Sequence, residues 1–159
     1  MLEVAATGDE LRVSCQREYD QNPIVRFRHR EIVRAMTITL GRLGAVVVDP
    51  DGCCARVAVS RFESARKVND VLTLLLSQII RIVQQPCTPK MVLELLRIQS
   101  KERLRWTRDG RLKSVGRLGA RNGNGGACRT YAADDIVELI KHPEIIERWR
   151  RADAEEGAR

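Results

Sequence analysis

The sequence is poor in aromatic residues, in histidine and in long apolar runs. Its 159 residues include only two each of Phe, Trp and Tyr, so the core must be built from aliphatic side chains. Two histidines leave little material for acid–base catalysis, and no credible nucleophile accompanies them. The longest uncharged apolar stretch, residues 71–80, is about half of what a helix needs to span a bilayer. We therefore expect neither membrane insertion nor enzymatic activity.

The sequence also lacks the signals of secretion and of metal binding. Acidic side chains interrupt the first 20 residues and no apolar segment accompanies them, so we expect a cytoplasmic protein, nucleoid-associated if bacterial. No C-x-x-C pair occurs among Cys15, Cys53, Cys54, Cys87 and Cys128. Cys53 and Cys54 would point to opposite faces of a strand, so they cannot easily bind one ion together. We expect reduced structural thiols, no metal site and no cofactor.

Positive charge is what the sequence has in excess, and it is concentrated in one segment. The net charge is +7, from 28 basic and 21 acidic residues, and 23 of the basic residues are arginine, whose guanidinium group matches phosphate geometry. Residues 1–85 carry a net charge of +2, residues 86–132 carry +8 and residues 133–159 carry −3. Such a segment is typical of a nucleic-acid-binding face, but a solvated basic surface would give the same pattern.

The first 85 residues predict an α-ββ-α unit that follows a loose arm of about a dozen residues. Apolar residues at three- and four-residue spacing predict an amphipathic helix over residues 28–43, which Gly44 ends. Short β-branched runs at 45–48 and 55–59 are separated by an Asp-Pro-Asp-Gly sequence, which is typical of a hairpin turn.

A long apolar helix is predicted over residues 61–84, with Ser60 as its cap. Apolar residues cover more than one side of this helix, so it must be buried on most sides. Either it is the spine of the N-terminal unit or part of it forms a dimer interface, because 85 residues offer few elements to cover it. A homodimer through this helix is therefore one of our predictions.

Two short helices joined by a tight turn are predicted next. Thr88 is an N-cap and Pro89 the first residue of a helix that ends near Arg97. After a three-residue turn, Ser100 can cap a second helix, Lys101–Arg108. A three-residue turn followed by a basic second helix is typical of a helix-turn-helix.

The second helix is predicted to end at Gly110, which can adopt the left-handed conformation common after helices. We expect Leu104 and Trp106 to be buried in part. Trp106 and Tyr131 are expected to pack in the core rather than to stack on bases.

A glycine-rich wing between two strands follows. Strands over 111–115 and 128–131 flank residues 116–127, which contain five glycines and have Arg117 and Arg121 as their only charges. Such a segment can lie against phosphates or enter a minor groove. It is not a phosphate-binding P-loop, because the G-K-[ST] ending is absent.

The last segments are predicted to be helical. Asp134 and Asp135 open a helix, whose positive end favours their charge, and Pro143 begins a final amphipathic segment. The charged tail from Arg150 is expected to fray. The fold class is α+β, mainly α, and its expected divisions are an N-terminal unit (1–85), a winged helix-turn-helix (86–142) and a C-terminal helix with its frayed tail (143–159).

The stretch from Thr88 to Gly116, followed by RTYAADDIVELI from Arg129, resembles a known group. It is similar to the winged helix-turn-helix domains of phage excisionases and of mercury-resistance (MerR) regulators. In that group a capped first helix ends in a leucine-rich turn, a recognition helix closes on D/E-G-R-L, and an R-x-Y…D-[IL] segment returns as a helix after the wing. The resemblance covers about 88–141, roughly a third of the chain. Arg97 stands where these domains usually have glycine.

The resemblance implies sequence-specific binding to double-stranded DNA, as a transcriptional regulator or an excisionase-like architectural factor. It implies that the helix Lys101–Arg108 enters the major groove, while Arg117 and Arg121 reach the backbone or the minor groove. The candidate DNA-binding residues are Thr88, Ser100, Lys101, Arg103, Arg105, Arg108, Arg111, Lys113, Arg117, Arg121 and Arg129.

The alternative is a protein-interaction adaptor, whose winged helix docks another protein. The acidic C-terminal segment and the apolar helix over 61–84 could serve such a role. RNA binding is chemically close to DNA binding, but the aromatic platform expected for single strands is missing.

Overall fold

The computed structural model describes residues 2–49, 53–58, 64–119 and 127–157. The chain divides into two compact units, Met1–Val83 and Gln84–Arg159. The described residues are 59% helix and 19% strand, so the fold is α+β and mainly helical, which confirms the expected fold class at this level. Within the described ranges, no helix is both long and apolar enough to cross a membrane.

The described part of the N-terminal unit combines one antiparallel sheet with four helices. In chain order its elements are β1 (Glu3–Thr7), β2 (Glu10–Ser14), α1 (Gln16–Gln21), α2 (Pro23–Phe27), α3 (His29–Leu40), β3 (Val46–Val48), β4 (Cys54–Ala58) and α4 (Ala65–Gln84). The strand order is β1-β2-β4-β3. The predicted pairing of β3 with β4 is confirmed, while residues 50–52 of the predicted turn lie outside the described residues.

The first residues do not form the loose arm that we expected. β1 and β2 pair as a hairpin through Gly8, which has a φ of 59°, and β2 also pairs with β4. Leu11 and Val13 of β2 are buried in the core, whereas the charged residues between and before them are exposed. This alternation with a period of two is the sequence signal of the strand. The unit is therefore ββ-ααα-ββ-α rather than α-ββ-α.

Two short helices that were not predicted from the sequence precede α3. Asn22 caps α2, because its side chain accepts the backbone N–H of Ile24 at 2.9 Å. Pro23 occupies the first helical position, which does not need an N–H donor. An Asn-Pro pair was therefore a local signal for the start of this helix.

The helix predicted over 28–43 is α3, but it ends at Leu40, before Gly44. Gly44 has another role, since a Cβ at this position would lie 2.0 Å from the carbonyl oxygen of Ala58 in β4. Glycine therefore allows the backbone after α3 to approach the sheet closely.

The core of the N-terminal unit lies between one face of the sheet and the helices α3 and α4. Val13, Val57, Met36 and Leu75 are fully buried within it. The long helix predicted over 61–84 is α4, but its predicted start is wrong. It begins at Ala65, where the hydroxyl of Ser64 accepts the N–H of Lys67 at 3.2 Å, and the predicted cap Ser60 lies outside the described residues.

Polar contacts also connect α4 to the rest of its unit. Oγ1 of Thr39 donates to Oε1 of Gln78 at 2.8 Å. The buried guanidinium of Arg28 donates to the carbonyl of Ile82 in the last turn of α4. The negative end of a helix favours a positive charge at that place.

The described part of the C-terminal unit combines four helices with a short two-stranded ribbon that is largely exposed. In chain order its described elements are α5 (Pro89–Leu96), α6 (Ser100–Arg108), β5 (Gly116–Leu118), β6 (Cys128–Thr130), α7 (Ala133–Lys141) and α8 (Pro143–Gly157). Cys87 and Tyr131 exchange two backbone hydrogen bonds of 2.7 and 3.1 Å, which connect the residues before α5 to the end of β6. Asp134 and Asp135 lie in the first turn of α7, as predicted.

The prediction of a strand over 111–115 is wrong, because the strand of this region, β5, begins only at Gly116. Gly110 has the expected positive φ, of 85°, and after it the buried Leu112 donates its N–H to the carbonyl of Trp106 at 2.8 Å. Leu112 therefore packs beneath α6 instead of alternating along a strand.

The prediction of a frayed tail is also wrong over the described residues, since α8 continues to Gly157. Arg150 and Asp153, in the segment expected to fray, form ion pairs with α6 and with the loop after it. These contacts supply stability that a charged isolated helix end would lack.

Arg97 generates a testable prediction for stability. It follows α5 with a φ of 53° and is the non-glycine residue with positive φ in the described part of the chain. Because a side chain is strained in this conformation, Arg97→Gly should raise the free energy of unfolding of the C-terminal unit by about 1 kcal/mol. Both tryptophans lie in this unit, so tryptophan fluorescence during urea unfolding measures the change.

Gly110→Ala is the matched control, because its φ of 85° also favours glycine. This substitution should lower the free energy of unfolding by about 1 kcal/mol. A less stable Arg97→Gly variant would contradict the interpretation and show that the Arg97 side chain stabilises the turn.

Candidate nucleic-acid interface

The turn between α5 and α6 determines where α6 begins. The N–H of Ile98 donates to the carbonyl of Leu93 at 3.2 Å, and Gln99 then takes the N-cap position. The carboxylate of Glu102 accepts the backbone N–H of Gln99 at 2.6 Å. Ser100 is therefore the first residue of α6 and not its cap, since Glu102 supplies the reciprocal bond of a capping box.

Trp106 lies on the inner face of α6 and packs this face against α8. It is fully buried, its ring packs edge-on against Trp149 of α8 at a centroid distance of 5.1 Å, and its indole N–H donates to Asp153 at 2.9 Å. The prediction that Trp106 and Leu104 are both partly buried is wrong, because Trp106 is fully buried and Leu104 is 53% exposed. Positions two residues apart lie about 200° apart around a helix, so the two side chains point in nearly opposite directions.

A second inward contact involves Arg103. Its Nη1 donates to the hydroxyl of Tyr131 at 2.7 Å, and this hydroxyl lies 3.0 Å from Oγ1 of Thr107. Tyr131 is fully buried, as expected for a core residue. Arg103 therefore joins α6 to the residue after β6 rather than extending from the outer face of the helix.

Asp153 of α8 pairs with two arginines that were candidate DNA contacts. Nη2 of Arg111 lies 2.7 Å from one carboxylate oxygen, and Nη1 of Arg105 lies 3.1 Å from the other. Burial raises the pKa of Asp153, but hydrogen bonds from Arg111 and Trp106 outweigh this effect, so its pKa lies below the ordinary value. A hydrogen bond to Asp109, and a further one to Asp153, raise the pKa of Arg111. Both arginines thus neutralise carboxylates of their own unit.

Arg150 of α8 forms a further ion pair at the start of α6. Its Nε donates to Glu102 at 2.8 Å, and its Nη2 donates to the carbonyl of Arg97 at 3.0 Å. Burial raises the pKa of Glu102, but the hydrogen bonds from Arg150 and from the backbone of Gln99 bring it below its ordinary value. Because Asp153 contacts the later turns of α6, α8 holds both ends of that helix.

The outer face of α6 presents Lys101, Leu104 and Arg108. These positions follow one another at three- and four-residue spacing, so they share one side of the helix, opposite Trp106. All three side chains are exposed. Arg105 lies at the edge of this face, against α8. The structure therefore leaves Lys101 and Arg108 as the central basic groups of the helix.

Arg117 and Arg129 lie directly opposite each other on the β5–β6 ribbon, and both are exposed. Like charges at opposed positions destabilise paired strands, and an anion bound across them removes that repulsion. Nη1 of Arg129 also donates to the carbonyl of Thr107 at 3.5 Å. This contact places the ribbon beside the end of α6.

A groove of about 430 Å³ separates α6 from β6. None of the described residues that line it is acidic. Arg103, Arg108 and Arg129 line it together with Leu104, Thr107 and Cys128. In the sequence, residues 110–133 contain five basic residues and no acidic residue. The groove therefore carries cationic and apolar side chains on both of its walls.

Of the remaining candidate DNA-binding residues, those that the structure describes lie outside the groove. Thr88 caps α5 as predicted, since its hydroxyl accepts the N–H of Met91 at 3.4 Å. Ser100 and Lys113 are exposed, the latter between α6 and β5. Arg121 lies outside the described residues.

The structural roles of Arg150 and Asp153 were not predicted, because their highly charged segment was expected to fray. A signal for them exists in the sequence, since Ile146, Trp149 and Asp153 continue the three- and four-residue spacing of α8 into the tail. The spacing predicts that Asp153 shares the buried face of the helix, where a carboxylate needs partners.

Within residues 2–49, 53–58, 64–119 and 127–157, no three His, Cys, Asp or Glu side chains form a cluster that could hold a metal ion. Comparisons with protein-family models, with curated proteins and with solved structures gave no match to this chain. The resemblance to excisionase and MerR-type domains therefore stays a prediction from sequence.

Asp153→Asn tests the contacts of α8. Removing the carboxylate charge should lower the free energy of unfolding of the C-terminal unit by about 1–3 kcal/mol at neutral pH. Because the folded pKa is lowered, this contribution is complete above the ordinary carboxyl pKa, about 4, and is lost as the pH falls through the lower folded value. Urea unfolding at several pH values, followed by tryptophan fluorescence, measures the difference.

Glu155→Gln makes the same charge change at an exposed position of α8 and serves as the control. Its stability should match that of the original chain across the pH range. An Asp153→Asn variant that behaves like this control would show that the ion pairs of Asp153 do not stabilise the unit.

Proposed function

We propose that the C-terminal unit is a winged helix-turn-helix domain that binds double-stranded DNA with sequence specificity. The order α5, tight turn, α6, β5–β6 ribbon and α7 is the order of such a domain. The observation that carries the proposal is the set of exposed basic side chains on α6 and on the ribbon around a groove whose described lining has no acid. The additional N-terminal unit favours a transcriptional regulator over an excisionase-like architectural factor.

We assign α6 to the major groove of the duplex. Its outer face carries Lys101 and Arg108, and Ser100 lies at its positive end, where backbone N–H groups can bind phosphate. Arg117 and Arg129 of the ribbon contact the phosphate backbone beside the groove. Phosphate contacts supply most of the affinity and the register, while contacts to base edges supply selectivity.

Arg103, Arg105 and Arg111 have a positioning role in this proposal. Their bonds to Tyr131 and Asp153 hold α6 on the unit. Replacing them therefore loosens the helix, which differs from removing a phosphate contact. This assignment departs from the sequence-based expectation that all three contact DNA directly.

The aromatic residues of the unit favour a duplex over a single strand as the ligand. Proteins that bind single strands stack bases on exposed aromatic rings. Trp106 and Tyr131 are fully buried, and Trp149 packs against Trp106. The accessible chemistry is thus mainly cationic, as phosphate recognition requires.

The intact chain should bind mixed-sequence duplex DNA with strong salt dependence. If Lys101, Arg108, Lys113, Arg117 and Arg129 each neutralise one phosphate, the logarithm of the binding constant should fall against that of salt concentration with a slope of about −4 to −5. Fluorescence anisotropy of a short labelled duplex, titrated at several salt concentrations, measures this slope.

Two variants with equal charge loss separate the proposed surface from general positive charge. The test variant replaces four exposed residues of the surface with alanine: Lys101, Arg108, Arg117 and Arg129. The control variant replaces four exposed arginines of the N-terminal unit: Arg17, Arg30, Arg34 and Arg66. The test variant should reduce the slope to about −1, while the control should retain it. No binding by the intact chain at low salt would overturn the proposal and favour the adaptor, in which this surface docks a protein.

We further propose that the chain forms a homodimer through α4. Val71, Leu75 and Ile79 are buried within the N-terminal unit, but the neighbouring apolar side of the helix is only half-buried or exposed. The uncovered part of this side is the exposed Ile80 together with the half-buried Leu76, since the half-buried Leu72 and Val83 pack against the core. A dimer would cover it and would double the number of DNA contacts, as two half-sites require.

Ile80→Glu should convert such a dimer to a monomer, because Ile80 is 45% exposed on this side and a buried unpaired carboxylate is costly. Lys67→Glu, at an exposed position on the other side of α4, is the control and should leave the dimer intact. Sedimentation velocity over a range of concentrations measures the association. An original chain that sediments as a monomer throughout would contradict the proposal.

A further inference from the structure

One apolar side chain lies among the cations of the outer face of α6. Leu104 is 53% exposed and lies one helical turn from Lys101 on one side and from Arg108 on the other. It also lines the groove between α6 and β6 together with Arg108 and Arg129. A ligand that fits this position offers an apolar group with negative charge on either side of it.

An uncharged apolar protein surface fits this arrangement poorly. Packing Leu104 against an apolar patch would bring Lys101 and Arg108 into the same contact and remove water from both charges. A phosphate on each side avoids this cost, because it replaces the lost water with an ion pair. The flanking charges therefore favour a nucleic acid as the occupant.

The major groove of DNA offers the matching apolar group at thymine. The base edges there present hydrogen-bond donors and acceptors, and thymine adds its C5-methyl group. Lys101 and Arg108 are seven residues apart, about 10.5 Å along a helix axis, which is comparable to the major-groove width of about 12 Å. When both cations reach phosphates, Leu104 between them faces the base edges.

We propose that Leu104 recognises a thymine by packing against its methyl group. The inference rests on the proposed DNA binding and deepens it, because it names a specificity-determining contact and the base that it selects. The contact is apolar, so its signature is sensitivity to a methyl group and not to salt. Since Leu104 lies outside the core, its replacement leaves the fold intact.

The test first uses the full chain to select the duplexes that it binds from a pool of random sequences. In the tightest duplex, each thymine is replaced in turn by deoxyuridine, which lacks only the C5-methyl group. At one or more positions this replacement should weaken binding roughly three- to fivefold, the effect of one buried methyl-sized group. Leu104→Ala should bind the thymine duplex more weakly than the original chain and should not distinguish it from the uracil duplex.

Leu118→Ala is the matched control, because Leu118 is 48% exposed but lies on the ribbon. It should keep the full preference for thymine, and tryptophan fluorescence confirms that each variant is folded. Equal binding of all uracil duplexes by the original chain, or a thymine preference that persists in Leu104→Ala, would overturn this inference while leaving DNA binding intact. Failure to bind any duplex would overturn both proposals.

Discussion

The carboxylate of Asp153 is the junction on which the C-terminal unit depends. It accepts the indole N–H of Trp106 and a guanidinium N–H of Arg111, and it forms an ion pair with Arg105. These partners replace the water that the carboxylate loses, so removing one of them would weaken the whole network. Because Trp106 fills the core beneath α6, Asp153 helps to fix the orientation of that helix and of its outer face, together with the bonds Arg103–Tyr131 and Arg150–Glu102.

Arginine has two distinct uses in this unit. The guanidinium group of Arg111 makes several directed hydrogen bonds within the fold, and that of Arg103 donates to the hydroxyl of Tyr131. The fixed planar geometry of the group suits it to such bonds better than an ammonium group. Arg108, Arg117 and Arg129 are exposed around the groove and on the ribbon. A sum of charges along the segment does not separate these uses, because it records residue type and not the partners that surround each side chain.

Several elements whose stabilising groups are close in sequence were predicted correctly, although the β1–β2 hairpin and α2, whose signals are also local, were not. Thr88 begins α5, Asp134 opens α7, and short β-branched runs around a turn predicted the pairing of β3 with β4. Prediction failed for β2, which pairs with the distant β4, and for the end of α8. The hydrogen bonds of Asp153 and Arg150 reach side chains 42 to 48 residues away, and no local pattern describes such partners.

The sequence by itself determined the α+β class, the basic segment over residues 86–132 and the two short helices within it, because these depend on residue type and on local spacing. Only the tertiary structure decided which side chains of α6 remain accessible. Arg103 and Trp106 turn inward because Tyr131 and Asp153, from other parts of the chain, supply the hydrogen bonds that they need. Leu104 stays exposed because no described element covers its side of the helix.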